Sequence, residues 1–568
     1  MNTLYTADDA LVIRGTNTLR ESVTRRRLAI TMLLVFVGFV VIGARLVQLG
    51  THRTEMTIEG RTVSEIEASR PPILDRNGIA MAVDIRVPSL YAEPRRIVDV
   101  EEAVIKIRGV LPEIDATWLR SRLTGDRGFV WIKRELTPSV RDSIMRLGLP
   151  GIDFLTESKR FYPGGSDAAH VLGAVNIDSQ GIAGIERGID DAGVAALQAF
   201  GLARGQELSP IRLSIDMRVQ HAMRTELVDA ISRYKSIAAG GVMMDAVTGE
   251  IMAMVSLPDF DPNSPASALE EGSFNRMTAG NFELGSVVKT VSFAASLDSG
   301  AVTLEDSFDA RFPVRFGRQA INDFKGQNRI LSVPEIFRYS SNVGTIRLMQ
   351  AMGEDRYRDF FTRIGFDAPL VTELPEKAPP NVPDQFSEVV AATASFGHGF
   401  GISPLHMARA LGAFVNGGRL LQPTFYPRTE EEALALATQV IKPETSAQMR
   451  ELLRFNAIVG SGSRMNKIAV GYRVGGKTGT AEKVVDGRYG QGKNLNVFVA
   501  AFPMEAPRYV MLILIDEAEP ETPQSGNTAG WNAGEVSGRI IARAAPMLGI
   551  APADSKSNDD AILADLGG

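Results

Sequence analysis

The chain has 568 residues, with 61 lysines and arginines against 67 aspartates and glutamates, for a formal net charge of −6. This length exceeds a single hydrophobic core and predicts two or three domains, and the mild acidity argues against a nucleic-acid partner. The chain has no cysteine, which excludes disulfides, zinc–thiolate sites and a cysteine nucleophile; its five histidines (His52, His170, His221, His398, His406) form no pair at ligand spacing, so no metal site is expected.

The first element is an apolar run. No Asp, Glu, Lys or Arg occurs from Leu28 to Ala44, and Val47 and Leu49 extend the run past Arg45. About 20 residues cross a bilayer as a helix. Arg14, Arg20, Arg25, Arg26 and Arg27 precede the run, which orients the N-terminus toward the cytoplasm. The run is longer than the core of a signal peptide and no A-x-A site closes it. The expectation is a cytoplasmic segment at 1–27, one transmembrane helix at 28–49 and an exported remainder. No second apolar stretch of comparable length follows.

Residues 50–208 read as an α+β region of short strands, short helices and turns. "RPPILDRNGIAMAVDI" predicts strand, Asn77-Gly78 turn and returning strand, and "ESKRFYPGG" ends in a Pro-Gly-Gly turn. The region shows no catalytic constellation; Asp75 and Glu186 read as salt-bridging turn residues as readily as anything else. It is expected to be a non-catalytic pedestal.

A second unit is expected at 209–550. In "SIDMRVQHAMRTELVDAISRY", Asp216 is a plausible N-cap for a helix. "GGVMMDAVTGEIMAMVSLP" predicts a hairpin turning at Thr248-Gly249. "YRVGGKTGTAEK", "NVFVAAFP" and "RYVMLILIDE" give three more strands, and "WNAGEVSGRIIARAAPML" a closing helix. The sum is an α/β domain: a five-stranded, mostly antiparallel sheet flanked by helices, with a helical insertion between the second and third strands. The acidic tail, 551–568, is expected to be disordered.

The insertion contains "NFELGSVVKTVSF", in which Ser286 precedes Lys289 by three residues. On a helix the two share a face, and the helix N-terminus favours an alkoxide. Lysine is a base only when neutral, so its ordinary pKa of about 10.4 must fall through burial or a second cation. The pattern alone is weak, because "SRYK" (Ser232–Lys235) repeats it at a helix end, where the dipole opposes an alkoxide. Ser-x-Asn occurs at Ser273, Ser340 and Ser525, whereas Lys-Thr-Gly occurs once, at Lys477-Thr478-Gly479. Among the Ser-x-Asn triplets, Ser340-Ser341-Asn342 alone lies between Lys289 and Lys477. The three motifs in this order, each on its expected element, make a strong joint signal.

"ELGSVVKT", "YSSNVGT" and "GGKTGTAEK" resemble the signature set of penicillin-binding proteins and serine β-lactamases. "RPPILDRNG", "RFYPGG", "AAHVLGAVNIDSQGIAGIERGID", "LSIDMRVQ", "DAVTGEIMAMVSLPDFDPN" and "SFGHGFGISPLHMARAL" extend the resemblance to class B penicillin-binding proteins over the whole chain, and to their division type in particular. Thr290 departs from the proline that relatives often carry after the lysine. The resemblance implies the penicilloyl-serine-transferase fold and a peptidoglycan D,D-transpeptidase that needs no cofactor. Ser286 would attack the carbonyl between the last two D-alanines of a stem peptide, with Lys289 as base. Ser340 would relay a proton to the leaving amine, and Asn342 would hold the substrate amide and Lys289. Lys477 would supply positive charge for the substrate carboxylate and depress the pKa of Lys289. Thr478 would bind that carboxylate, Gly479 completes the motif, and the N–H groups of Ser286 and Thr480 would form the oxyanion hole.

Implied ligands are peptidoglycan stem peptides and β-lactams, and implied partners are a SEDS-type glycosyltransferase and other division proteins. The implied place is the bacterial inner membrane, with the catalytic domain in the periplasm. Alternatives are weaker. No E-x-x-L-N pattern supplies the hydrolytic base of a β-lactamase, one span does not suit a β-lactam sensor, and intact motifs do not suit an inert scaffold. The side-wall elongation enzyme is the nearest competitor.

Overall fold

The computed structural model describes residues 30, 32–40, 42–43, 70–193, 209–270, 272–485, 488–553 and 556–566. The expected cytoplasmic segment, 1–27, lies outside them. Of the expected anchor, the described residues are helical and exposed. Among the described residues no helix is long and apolar enough to cross a membrane.

The described chain forms two compact units. One comprises Leu90–Arg134 and Ser139–Leu155; the other comprises 70–89, Glu135–Pro138 and the chain from Thr156 onward. Compactness therefore does not divide the chain at residue 209. Two strands open the described region, β1 (Ile73–Leu74) and β2 (Ala80–Ala92), the latter running from one unit into the other. The smaller unit holds helices α1 (Val100–Val110) and α2 (Ala116–Leu123) and strand β3 (Val130–Lys133). Asp99 and Asp115 cap the two helices by accepting from the N–H groups of Glu102 and Trp118, which satisfies donors the helix leaves open. β3 pairs antiparallel with Leu90–Ala92, and Ala103, Val104, Ile107, Leu119 and Leu123 are buried.

In the larger unit β1 pairs antiparallel with β2 and parallel with Ile211–Arg212. Asp75 shapes the expected turn with hydrogen bonds: its Oδ1 accepts from Asn77 N (2.8 Å) and Ile79 N (2.7 Å), and its Oδ2 from Met217 N (3.1 Å). Glu186 is fully buried and salt-bridged to Arg70 (2.8 Å) and Arg160 (2.6 Å). Both residues thus take structural roles.

The main sheet lies between two helical layers. Helix α3 (Met217–Tyr234) starts at Asp216, whose side chain accepts from Arg218 N. The hairpin β4 (Ala238–Asp245) and β5 (Ile251–Leu257) follows. The insertion then supplies α4 (Lys289–Asp298), α5 (Val333–Tyr339), α6 (Asn342–Met352), α7 (Pro404–Val415) and α8 (Pro443–Val459). Strands β6 (Gly475–Val485), β7 (Arg488–Phe502) and β8 (Tyr509–Asp516) and helix α9 (Ala533–Met547) complete the domain. The strand order is β6-β7-β8-β4-β5, antiparallel at every pairing.

The residues of β4 and β5 are buried throughout, so their sequences read as apolar runs. Their side chains still alternate between faces. Val242, Met244, Val499 and Leu512 join one core with Val291 of α4, Leu411 of α7 and Leu452 of α8. Met243, Phe498 and Ile513 join the opposite core with Met223 of α3 and Ile540 of α9. This sandwich leaves β6 at the sheet edge, beside the insertion helices.

The tail departs from expectation. Residues Lys556–Leu566 form helix α10, and Asp559 accepts from Nε and Nη2 of Arg454 (2.9 and 2.5 Å) and from Nη2 of Arg473 (3.3 Å). Acidic composition suggests a solvated coil, but Arg454 on α8 is only 2% exposed and Asp559 supplies its carboxylate. Removing one member of a buried pair strands the other charge. Asp559→Asn is expected to lower the unfolding free energy by about 2–4 kcal/mol, read as a shift in the denaturation midpoint. An unchanged midpoint would make the helix peripheral.

Candidate active site

Gly285–Val288 is a 3₁₀ turn running directly into α4. In that conformation residues three apart eclipse, so Ser286 and Lys289 share one face. Ser286 is half-buried and Lys289 is fully buried. Thr290 keeps the turn closed, its hydroxyl donating to Val287 O at 2.8 Å.

A capping box of Ser332 and Glu335, with Pro334 in the first turn, starts α5. The helix ends at Ser340 in the left-handed conformation (φ 56°), an uncommon one for a residue with a Cβ. Ser341 then caps α6, accepting from Gly344 N at 2.9 Å and donating to Asp323 at 2.7 Å. This break between helices aims Ser340 and Asn342 at Lys289. Lys289 Nζ donates to Asn342 Oδ1 (2.7 Å), to the Ser340 carbonyl and to Ser340 Oγ (3.2 Å). Lys477 Nζ reaches the same Ser340 Oγ at 2.9 Å, and Thr478 O at 3.1 Å. The Ser340 hydroxyl thus bridges two lysines. Among the described residues, Ser286 Oγ and Thr478 Oγ1 make no hydrogen bond.

Both lysines are 0% exposed. Burial, reinforced by the Lys477 charge and opposed by Asp323, holds the Lys289 amine well below its usual range. Burial brings Lys477 down to about 7. A neutral Lys289 has two N–H donors, matched by Asn342 Oδ1 and the Ser340 carbonyl, and a lone pair left for a hydroxyl proton. The arrangement can take a proton from a serine and pass one through Ser340. Thr478 and Thr480 face a cleft of about 580 Å³. The Thr480 hydroxyl is committed to Asn496 (3.2 Å) and to Ala529 N–H (3.2 Å), which fixes the strand against the 528–531 loop.

A sequence profile of the penicillin-binding protein transpeptidase domain matches residues 239–542, and one of the penicillin-binding protein dimerisation domain matches residues 65–191. This chain is a class B penicillin-binding protein. It is 36% identical over 537 residues to a probable peptidoglycan D,D-transpeptidase FtsI of Caulobacter vibrioides, covering 92% of this chain and 89% of that one. To the peptidoglycan D,D-transpeptidase FtsI of Escherichia coli it is 29% identical over 497 residues, covering 82% of each. A peptidoglycan synthetase from Bifidobacterium adolescentis shares the fold, with a TM-score of 0.65 at 21% identity over 87% of this chain and 97% of that one.

In this penicillin-binding protein the expected site residues converge, and the decoy stands apart. Ser232 lies exposed near the end of α3, and Lys235 is exposed and pairs with Glu519 at 3.3 Å. Three further residues build the site without appearing among the sequence candidates. Asp323 holds the Ser341 hydroxyl and Val343 N–H, fixing the start of α6. Gly397 (φ 90°) lies against Gly285, where a Cβ would fall 2.1 Å from the Gly285 carbonyl. Gly285 itself (φ 58°) lies against Thr480 O, and Gly479 against Leu284 O and Val287 N. "SFGHGFG" carries part of the family resemblance, but the sequence does not show which backbone Gly397 meets. Gly479→Ala would place a Cβ 2.5 Å from Leu284 O and push β6 from the Ser286 turn. A misplacement of about 1 Å costs on the order of a hundredfold in rate, so β-lactam acylation should fall about tenfold to a hundredfold with circular dichroism unchanged. Unchanged acylation kinetics would show that the close approach is dispensable.

Proposed function

We propose that this protein is the division-type peptidoglycan D,D-transpeptidase of its cell, cross-linking stem peptides through an ester on Ser286. The observation that carries this reading is Lys289, buried, held by Ser340 and Asn342, and aligned with Ser286 by the 3₁₀ turn. Ser286 Oγ attacks the carbonyl between the two D-alanines while Lys289 takes its proton. The N–H groups of Ser286 and Thr480 receive the oxyanion. As the C–N bond breaks, a proton passes through Ser340 to the departing D-alanine amine. An amine from a second stem peptide then attacks the ester, the new amide forms, and Ser286 recovers its proton. Thr478 binds the terminal carboxylate, with the Lys477 charge behind it and Gly479 allowing the close approach. Asn342 orients the substrate amide, and the edge position of β6 lets an extended peptide add as a strand. β-Lactams acylate the same serine.

The pedestal segments and the relatives named FtsI support division over side-wall elongation. An inert scaffold is disfavoured by the intact lysine–serine–asparagine cluster. In this reading residues 28–49 anchor the protein in the inner membrane, with 1–27 in the cytoplasm and the pedestal (50–208) and transpeptidase domain (209–550) in the periplasm. A SEDS-type glycosyltransferase and other division proteins meet the helix and pedestal.

Fluorescent penicillin should label the native protein stably on a denaturing gel. Ser286→Ala should abolish the label and Ser232→Ala retain it; label surviving in Ser286→Ala would remove Ser286 from the mechanism. A second expectation concerns pH. Lys289 acts when neutral, so acylation rises as pH climbs through its depressed pKa. Removing the neighbouring cation in Lys477→Gln raises that pKa and moves the acidic limb of the acylation rate to higher pH, with a lower maximum. An unmoved limb would mean the two lysines are not electrostatically linked.

A further inference from the structure

The cleft beside β6 has a cationic wall that the three motifs do not supply. Lys477, the motif cation, does not line it: it is 0% exposed and its ammonium is spent on Ser340 Oγ and Thr478 O. Together with Thr478 and Thr480, the cleft is lined by Ser461, Arg464, Lys467 and Trp531. Lys467 is exposed and makes no ion pair among the described residues. Arg464 is partly exposed; its guanidinium stacks on Trp531, 4.1 Å from the ring centroid, and one nitrogen meets Glu535 at 3.0 Å. Glu535 also serves Arg233 (2.8 Å) and Arg539 (3.0 Å), and Arg233 meets Glu521 (3.3 Å) and Asp229 (3.4 Å) as well; the Glu535 carboxylate is thus shared by three guanidinium groups, and Lys467 adds to the wall a cation that no carboxylate among the described residues meets. The stack and the shared ion pair hold the Arg464 fork in one orientation, which lowers the ordering cost of binding a planar anion.

We infer that Arg464 and Lys467 are specificity-determining residues that bind the free carboxylate of the substrate, or of a β-lactam, across the cleft from Thr478. This rests on the transpeptidase reading and deepens it. The Thr478 hydroxyl, unbonded among the described residues, donates from the strand side, and the two cations close on the carboxylate from the helix Ser463–Ile468. Lys477 acts on the carboxylate through its charge alone; its direct contacts belong to the proton relay. The cations touch a group that is charged before and after acylation, so they contribute to binding and not to the chemical step.

The test is the second-order rate of acylation of the full-length protein by benzylpenicillin and by its uncharged methyl ester. Lys467→Gln, Arg464→Gln and the double variant run beside the native protein. Charge-assisted contacts at a partly exposed site predict a loss of about tenfold for benzylpenicillin in the double variant. The ester rate should stay unchanged, and the saturated acylation rate should stay that of the native protein. Because Lys467 has no ion-pair partner to lose, Lys467→Gln should give part of the effect with an unaltered denaturation midpoint. Equal loss for both compounds, or no loss for either, would overturn the inference while leaving Ser286 acylation standing. No acylation of the native protein by either compound would overturn the inference together with the transpeptidase reading.

Discussion

Two lysines buried side by side, sharing one hydroxyl, are the constraint on which the site depends. Taking an amine out of water disfavours its charged form, and a second amine nearby disfavours it further. Lys289 is driven toward neutrality by both effects, Lys477 by burial. The surrounding polar atoms suit this: Asn342 Oδ1 and the Ser340 carbonyl accept from Lys289, and Ser340 Oγ meets both amines. A buried cation without such partners would cost several kcal/mol. The cluster turns that destabilisation into a base at neutral pH.

Keeping the lysines dry and in register requires three segments distant in sequence to meet closely. Phe293 of α4 packs edge-on to Phe337 of α5, with ring centroids 4.9 Å apart, which brings the Ser340 corner over Lys289. Backbone meets backbone where Gly285 contacts Thr480 and Gly397, and where Gly479 contacts Leu284. Side chains at these positions would separate strand from turn. The glycines therefore set a distance, and that distance decides whether nucleophile, base and carboxylate-binding strand form one site.

Strand β6 is also held from behind. Asn456 Nδ2 donates to Gly476 O at 2.7 Å and Arg454 Nη1 to Val474 O at 2.8 Å, both from α8. Arg454 in turn depends on Asp559 of the tail helix. A chain of hydrogen bonds thus runs from α10 through Arg454 to Val474, the residue before β6. An edge strand that must accept a substrate as its neighbour gains from such anchorage, since its open side offers none.

The sequence by itself determined the elements and the chemistry. Apolar runs and turn residues located all five strands of the main sheet, Asp216 marked a helix start, and motif order separated Ser286 and Ser340 from Ser232, Ser273 and Ser525. These signals are local, written in spacing and side-chain type. Tertiary structure decided what spacing cannot encode. That Asp323 fixes α6, that Gly397 backs Gly285 and that Asp559 orders an acidic tail are contacts between residues apart in sequence, and that Arg464 and Lys467 line one cleft with Thr478 is equally invisible to spacing. The three-residue spacing of Ser286 and Lys289 told of a possible base. Only the packing of three segments around Lys289, which removes its water and places a second amine beside it, lowers its pKa.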